Sequence, residues 1–343
     1  MLVGLTYDLR EDYRAMGFSE EDVAEFDCEE TIAGIEDALR ALGFESERIG
    51  SLPALMSALL AGKRWDLVFN IAEGLNGFGR ESQIPCVLDW HGIPYTFSEP
   101  MTLAIGLHKG MTKHVIRAAG IPTPDFAVVA DPAEADGVDL PFPLFVKPVA
   151  EGTGLGIGSA SRVTDKSGLA AACARLIERF RQPVLVETFL PGRELTVGIV
   201  GTGDKAHSVG ALEVIFGEQA DPSAYGYVNK QDWERRMHYR IADDAEARAS
   251  EKVALDAWRA LGCRDGGRVD LRLDAAGVPN FIEVNPLAGL NPSYSDLPIL
   301  CRLNGIPYQE LIAGIVRSAM ERLGSASQPQ PKLQPRTGSG QAA

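Results

Sequence analysis

The first part of the chain alternates between short apolar segments and segments with a helical period. Met1–Asp8 and Asp66–Ala72 are short and mainly apolar, which predicts two buried strands. In Thr31–Leu42 the apolar residues are spaced by three and four positions and a glycine follows, so we predict an amphipathic helix with a glycine C-cap. Gln83–Trp90 predicts another helix. Strands that alternate with helices indicate a parallel α/β sheet in this region.

A proline-containing break, Gly120–Pro124, follows a predicted helix around Leu107–Ala119. Proline cannot continue a helix, so we expect a domain boundary near this break. Beyond it, Phe142–Val149 predicts a strand, and Asp165 is placed to cap a helix with one apolar stripe.

The second half of the chain is rich in strand patterns. Polar, aromatic residues without a period fill Phe216–Tyr239, which predicts a mobile loop, and Ala245–Leu261 predicts a helix. From Gly324 onward the composition predicts a disordered tail. The strand-like segments are residues 184–190, 194–201, 207–215, 267–274 and 280–285.

Composition narrows the classes of function. The 343 residues are 45% hydrophobic, which is enough for two or three domains, and carry a formal net charge of −14. Such a chain repels nucleic acid and anionic membranes, so we expect neither as a partner. Any phosphate that it binds must therefore meet a local cluster of Lys, Arg and backbone N–H groups.

Cysteine usage and the apolar segments indicate a cytoplasmic protein. The five cysteines are scattered without a C-x-x-C pair, which fits free thiols in a reducing compartment better than disulfides or a zinc site. The N-terminal residues lack the pattern of a signal peptide, and no segment has the apolar length of a membrane span.

A glycine-rich segment, FVKPVAEGTGLGIG at Phe145–Gly158, is the first candidate for chemistry. Dense glycines let backbone N–H groups approach phosphate oxygens closely. The segment matches neither a P-loop nor the dinucleotide fingerprint. We interpret it as a hairpin flap, with Lys147 on the preceding strand able to pair with phosphates. An ordinary hairpin with a flexible tip explains this segment equally well.

Two neighbouring strand patterns, GRVD at Gly267–Asp270 and FIEVN at Phe281–Asn285, are the second candidate. Alternate residues of a strand share a face, so Asp270, Glu283 and Asn285 are expected to present oxygens together. The apolar residues between them, Val269, Ile282 and Val284, are expected to face a core. Hard oxygen ligands suit Mg²⁺ that bridges ATP phosphates. Arg268 beside them can stabilise developing negative charge. An amphipathic hairpin with a solvated polar face accounts poorly for this mix of side chains.

The third candidate is Val184–Glu194, which is predicted to form strand, turn and strand. Such a linker can hold adenine between apolar side chains and leave a carboxylate for ribose hydroxyls. By itself this signal is weak, and a plain strand–turn–strand explains the segment better.

In this order the three segments resemble the ATP-grasp superfamily, and most closely the D-alanine–D-alanine ligase family. The resemblance extends to the first region through Gly92–Thr96 and the helix with Lys109. It implies an α/β fold, α+β in the ATP-binding part. We expect an N-terminal α/β substrate domain (1–105), a central subdomain with the flap (106–190), a C-terminal Mg-binding subdomain (191–323) and a disordered tail (324–343). The resemblance also implies that the chain uses ATP with two Mg²⁺ ions, with Mn²⁺ as an alternative, and that it forms a homodimer.

Roles for individual residues follow from the resemblance. It implies that Lys109 and Lys147 contact ATP phosphates and that Lys230 reaches the γ-phosphate. It implies an oxyanion hole formed by Arg268 and the backbone of Gly289. The resemblance also implies a flap that covers the phosphates (Glu151, Gly152, Thr153, Gly154) and a pocket for adenine (Glu187, Phe189, Leu190). It implies that Glu194 holds the ribose and that three residues bind the two Mg²⁺ ions (Asp270, Glu283, Asn285).

Departures from the family pattern cluster on the amino-acid side of the site. The family's early serine- and glutamate-containing signature is missing, and Asp27 is the candidate that holds the first substrate's ammonium group. Glu73 stands where a histidine is usual, and Thr153-Gly154 replaces two serines. Tyr294 and Ser295 align with the pair that holds the second substrate's carboxylate, and Gln231 replaces a loop tyrosine. These changes indicate altered substrate specificity with retained ATP chemistry.

The chain is therefore expected to be an enzyme, an ADP-forming ligase. It would join a small carboxylate to an amine through an acyl phosphate, forming a dipeptide-type amide bond. Two alternatives stay open: an ATP-grasp ligase with an acceptor other than D-Ala, and a non-catalytic ATP-binding protein.

Overall fold

The structure is a computed structural model that describes residues 1–216 and 237–325 and contains three β-sheets. The first is three-stranded, with the order β2-β1-β3, and all its pairs are parallel. Its strands are β1 (Leu2–Thr6), β2 (Glu45–Gly50) and β3 (Leu67–Asn70). The helices of this region are α1 (Arg10–Ala15), α2 (Glu29–Ala41), α3 (Leu52–Leu60) and α4 (Gln83–His91).

The predicted parallel α/β arrangement of the first region is confirmed. Strand β1, helix α2 and strand β3 occur where the hydrophobic pattern predicts them, and α2 is followed by Gly43 with a φ of +84°. The sequence reading omitted β2 and α3. Strand β2 has no fully buried residue, so it lacks the apolar run that marked its neighbours.

Two helices lead into the second sheet. They are α5 (Pro100–Leu107) and α6 (Lys109–Ala118). The helix predicted around Leu107–Ala119 thus begins at Lys109, because His108 leaves the helical conformation with a ψ of 89° and its ring caps α6 by accepting a hydrogen bond from the Met111 N–H. The second sheet, with the order β4-β7-β5-β6, is antiparallel and is covered by α7. Its elements are β4 (Phe126–Val129), β5 (Leu144–Pro148), β6 (Arg162–Val163), α7 (Lys166–Phe180) and β7 (Val184–Thr188).

The third sheet is antiparallel, with the order β10-β9-β8-β11-β12. Its strands are β8 (Glu194–Val200), β9 (His207–Phe216), β10 (Met237–Ala242), β11 (Gly266–Leu273) and β12 (Pro279–Asn285), and helices α8 (Ala245–Ala260), α9 (Asp296–Leu303) and α10 (Tyr308–Ser325) complete the chain. Strand β10 includes residues 237–239, which the sequence reading assigned to a loop. Residue 216 of that predicted loop ends β9, and residues 324–325 of the predicted tail end α10. Loop residues 217–236 and tail residues 326–343 lie outside the described residues.

The C-terminal helices α9 and α10 were not predicted, and they complete the core of the first sheet. Leu297 of α9 and Ile312 and Ile315 of α10 pack in one apolar cluster with Leu5 of β1 and Ile35 of α2. The first and third sheets therefore share a core, which fixes the N-terminal region beside the end of β12. Within the described residues, no helix combines the length and the apolar composition that crossing a bilayer requires.

A bulge in β12 corrects one predicted side-chain direction. Asp270 pairs with Glu283, but the next residue of β11, Leu271, pairs with Phe281, so Ile282 is the extra residue. The strand therefore loses its alternation at this point. Phe281 is fully buried in the core, whereas Ile282 lines a cleft together with Glu283. The prediction that Ile282 faces the core with Val284 is wrong for this reason.

Candidate functional site

An open cleft of about 830 Å³, solvent at its mouth included, lies between the second and third sheets and is lined by residues of both. We call it the inter-sheet cleft. Side chains from β5, β7, β8, β11 and β12 line it, and its apolar part is formed by Phe145, Leu155, Phe189, Leu190, Leu271 and Ile282.

Two lysines share one buried carboxylate, Glu187, which lines the inter-sheet cleft. Glu187 Oε1 lies 2.5 Å from Lys113 Nζ, and Glu187 Oε2 lies 2.9 Å from Lys147 Nζ. Burial alone would raise the pKa of Glu187, but the two ammonium charges outweigh it and lower that pKa. Lys147 is thereby held at the cleft with its charge, on the strand where the sequence predicted it.

Lys113 is a site residue that the sequence reading missed. Its Nζ also donates to Thr123 Oγ1 at 2.7 Å and to the Phe281 carbonyl at 3.3 Å, so it joins the two sheets. Burial lowers the pKa of Lys113 to about 8, against the opposing charge of Glu187. The available signal was its position one helical turn after Lys109.

Lys109, the first residue of α6, reaches both the flap and the acidic side chains of the third sheet. Its Nζ donates to the Glu151 carbonyl at 2.6 Å and lies 3.5 Å from Glu283 Oε2. It is 7% exposed. Its charge is therefore directed into the site rather than to solvent.

The expected oxygen ligands are neighbours on β11 and β12. Asp270 and Glu283 are cross-strand partners, and Asn285 Nδ2 lies 3.4 Å from Asp270 Oδ2. Thr196 Oγ1 donates to Asp270 Oδ1 at 2.8 Å. Arg268 forms an ion pair with Asp270 and lies 3.8 Å from Asp296 Oδ2. Two carboxylates and one amide thus converge, with cationic side chains beside them.

At the other end of the inter-sheet cleft, two arginines contact one aromatic ring. The guanidinium groups of Arg162 and Arg272 lie 4.5 and 5.2 Å from the centre of the Phe189 ring. Arg272 also donates to Glu194 Oε2 at 3.2 Å. Leu190 lines the same end. The apolar side chains and the carboxylate expected there are therefore together.

The glycine-rich flap, residues 151–158, is held against the loop formed by residues 16–28, which we call the acidic loop. The Gly152 N–H donates to Glu25 Oε1 at 2.5 Å, and Arg80 bridges Glu25 Oε2 (2.7 Å) and the Ala150 carbonyl (3.1 Å). Gly154 has a φ of +76°, which favours glycine. The buried Thr153 Oγ1 has no hydrogen-bond partner within residues 1–216 and 237–325.

A second cleft of about 850 Å³ lies under the acidic loop, and we call it the acidic cleft. The remaining residues predicted for the site line it: Asp27, Gly152, Thr153, Arg268, Asn285, Gly289, Tyr294 and Ser295. Burial raises the pKa of Asp27 to about 7. The Tyr294 hydroxyl lies 3.7 Å from Cys28 Sγ, and Ser295 Oγ accepts from the Asn291 N–H at 3.0 Å.

The inter-sheet cleft and the acidic cleft meet at three residues, Lys109, Glu151 and Glu283, which line both. Lys230 and Gln231 lie outside the described residues. Glu73 and Glu81 also line the acidic cleft, and the sequence reading noted the first only as a departure and the second not at all.

Comparison with known proteins places this geometry in context. A family model, D-ala D-ala ligase C-terminus, matches residues 115–317. A D-alanine–D-alanine ligase of Bordetella petrii is 34% identical over 291 residues, covering 83% of this chain and 85% of that protein. One of Xanthomonas axonopodis is 33% identical over 300 residues, covering 83% and 87%.

Solved structures share the fold. A D-alanine–D-alanine ligase from Bacillus anthracis complexed with ATP superposes with a TM-score of 0.70 at 22% identity, covering 95% of this chain and 99% of that one. The VanG D-Ala:D-Ser ligase from Enterococcus faecalis gives a TM-score of 0.70 at 18% identity, covering 93% and 99%.

Proposed function

The chain belongs to the D-alanine–D-alanine ligase family, and we propose how its residues carry out the reaction. It is an ATP-dependent, ADP-forming ligase that makes an amide bond. In the proposed mechanism a carboxylate oxygen of the first substrate attacks the γ-phosphorus of ATP and ADP leaves. The amine of the second substrate then attacks the acyl carbon, phosphate leaves, and the amine loses a proton.

The observation that supports this most is the junction of the two clefts. A nucleotide in the inter-sheet cleft and a carboxylate in the acidic cleft would meet at Lys109, Glu151 and Glu283. Phosphoryl transfer needs an in-line approach of the two reactants and neutralisation of charge more than covalent help from side chains. The junction supplies both a shared space and a directed ammonium group.

For the nucleotide, we assign the phosphates to Lys109 and Lys147, and to Lys230 beyond the described residues. The backbone of flap residues Glu151–Gly154 would cover those phosphates. Adenine would lie against Phe189 and Leu190, beside Glu187, and the ribose hydroxyls would donate to Glu194. Lys147 is already buried and paired with Glu187 before the nucleotide binds, so little reorganisation is needed when the phosphates bind.

The residues present fit Mg²⁺. Asp270, Glu283 and Asn285 present hard oxygen donors from adjacent strands, the set that Mg²⁺ prefers, and we assign two ions to them. When bound, Mg²⁺ neutralises charge on the ATP phosphates. The hydrogen bond from Thr196 and the ion pair with Arg268 hold the Asp270 carboxylate in place.

On the substrate side, we assign Arg268 and the backbone of Gly289 to the oxyanion that forms at the acyl carbon. Asp27 would accept the ammonium group of the first substrate. Tyr294 and Ser295 would lie against the second substrate. Because a phenol stands where the family has a small hydroxyl, we propose an acceptor other than D-Ala as the second candidate beside D-Ala itself.

We further propose that the protein works in the cytoplasm as a homodimer with small-molecule substrates. Adjacent helices α3 and α4 support a dimer because they carry exposed apolar side chains, Leu60 (85% exposed) and Trp90 (84% exposed). Light scattering of the purified chain tests this assignment, and a monomer at micromolar concentration would contradict it.

The enzymatic proposal is tested by phosphate release with ATP and Mg²⁺. Amino acids of both chiralities are supplied singly and in pairs, and the products are identified by mass. We expect release that depends on two substrates and yields an amide. ATP binding without release for any pair would favour a non-catalytic ATP-binding protein.

A further inference from the structure

The acidic cleft holds more carboxylates than its own cations neutralise. Five acidic residues line it from the acidic loop, the segment before α4 and the flap: Glu25, Asp27, Glu73, Glu81 and Glu151. Arg80 is engaged by Glu25, Arg268 by Asp270, and Lys109 lies beside Glu283. The guanidinium group of Arg10 donates to the Phe26 carbonyl.

Glu81 is buried, lines the acidic cleft and has no hydrogen-bond or ion-pair partner within residues 1–216 and 237–325. It is 8% exposed and sits in a short 3-10 helix, Arg80–Ser82. A buried carboxylate without a partner is costly, so it is expected to meet a ligand of opposite charge.

Glu73 is the second carboxylate at this place. It too has no hydrogen bond or ion pair within the described residues, and its neighbours include Glu81, Glu25 and Asp27. Burial, and then the charge of Glu81, raises the pKa of Glu73 well above its ordinary range. Burial likewise raises the pKa of Glu81 to about 7, against the charge of Arg80. A cation between them would relieve this repulsion.

Within residues 1–216 and 237–325, no group of three or more His, Cys, Asp or Glu side chains has a metal-binding arrangement, so Glu73 and Glu81 lack a third ligand of these types. An ammonium or guanidinium group needs fewer and less regular oxygen contacts.

We infer that Glu73 and Glu81 bind a second cationic group on the carboxylate substrate, which is therefore a basic amino acid. This inference rests on the proposed function, in which Asp27 accepts the α-ammonium group. Asp27, Glu73 and Glu81 all line the acidic cleft, so one molecule in it can engage all three. The side-chain ammonium or guanidinium group then reaches Glu81, while the carboxylate faces the junction with the inter-sheet cleft.

The test is calorimetric binding to the full chain saturated with AMP-PNP and Mg²⁺. Each cationic amino acid is compared with a neutral one of similar shape: lysine with norleucine, ornithine with norvaline and arginine with citrulline, in both chiralities. We expect at least one cationic ligand to bind about tenfold more tightly, or better, than its neutral counterpart. Glu81→Gln, alone and with Glu73→Gln, should bring this ratio close to one.

Glu45→Gln is the matched control, because Glu45 is exposed and remote on β2, and it should leave the ratio unchanged. Thermal unfolding checks that each variant is folded. Equal or tighter binding of every neutral counterpart, or a ratio that survives both substitutions, would overturn the inference. So would absence of binding by every amino acid while AMP-PNP binds. Failure of AMP-PNP to bind would instead remove the proposed function itself.

Discussion

Lys109 Nζ lies 3.5 Å from Glu283 Oε2, and this ion pair stands at the junction of the inter-sheet cleft and the acidic cleft. The lysine begins α6, whereas the glutamate follows the bulge in β12. Two elements far apart in sequence thus supply opposite charges at the place where a phosphoryl group would pass between reactants.

Asp270→Asn and Glu283→Gln should each lower kcat by about a hundredfold or more, because each removes a charged oxygen ligand from the proposed Mg²⁺ site. Phosphate release at saturating ATP is the measurement. Asp204→Asn, at an exposed position on the third sheet's connection, is the matched control and should retain activity. Full activity of Asp270→Asn would contradict the assignment of metal ligands.

Lys113→Met should destabilise the fold and weaken ATP binding. The substitution leaves the buried Glu187 carboxylate with only one lysine. Breaking a buried ion pair lowers the free energy of unfolding by on the order of 3–5 kcal/mol. Thermal unfolding measures the stability effect. Adding Glu187→Gln to Lys113→Met should recover part of the loss, since the unpaired charge is gone. Strictly additive losses would show that the pair does not act as a unit.

Gly152→Ala should disturb closure of the flap. A Cβ at this position would overlap Glu25 Oε1, the atom that accepts the Gly152 N–H, and Glu25 can move aside only by loosening its ion pair with Arg80. We expect kcat/KM for ATP to fall by between about tenfold and a hundredfold, as small displacements at a site do. Gly137→Ala is the control, because a Cβ there meets no atom within 4 Å. An unchanged kcat/KM would mean that the flap closes without this contact.

Glu81→Gln should stabilise the protein at pH 8 and leave its stability unchanged near pH 4.5. Burial raises the pKa of Glu81 to about 7, above the unfolded value near 4.5, so its ionisation opposes folding. The groups that act on it are Glu25, Glu73, Arg80 and Lys109. The gain should therefore grow from pH 4.5 to about 7 and then level off, on the order of 1–3 kcal/mol.

Melting temperatures of Glu81→Gln and the unsubstituted chain across this pH range measure the effect. Glu45→Gln again serves as the control for loss of an exposed carboxylate. A variant that is less stable at pH 8, or a difference that does not change with pH, would contradict the account of an unpaired buried carboxylate.

Local patterns predicted the elements that carry the site. The strand around Lys147 is mainly apolar, and the strand around Asp270 alternates buried and half-buried residues. Asp165 caps its helix as predicted, because its carboxylate accepts a hydrogen bond from the Gly168 N–H. Every described residue predicted for the site lines one of the two clefts, because the motifs lie on rigid strands and the loops beside them. The roles of those residues remain predictions.

Tertiary contacts account for what the sequence did not show. In the sequence, Lys113 is an ordinary polar position of an amphipathic helix. Only in the folded chain do Glu187 of β7 and the Phe281 carbonyl of β12 surround its ammonium group. Ile282 leaves the core only because a bulge shifts its register. Glu81 has no local signal, since its importance depends on which groups surround it after folding. Helices α9 and α10 follow the recognisable motifs and had no motif of their own.

The measurement that tests the central claim most directly is ADP release with ATP and Mg²⁺, together with mass identification of the product for each pair of amino acids. The account predicts one ADP for each amide formed, with no product when either amino acid is omitted. ADP formation without an amide product, or no ADP with any pair despite ATP binding, would contradict it.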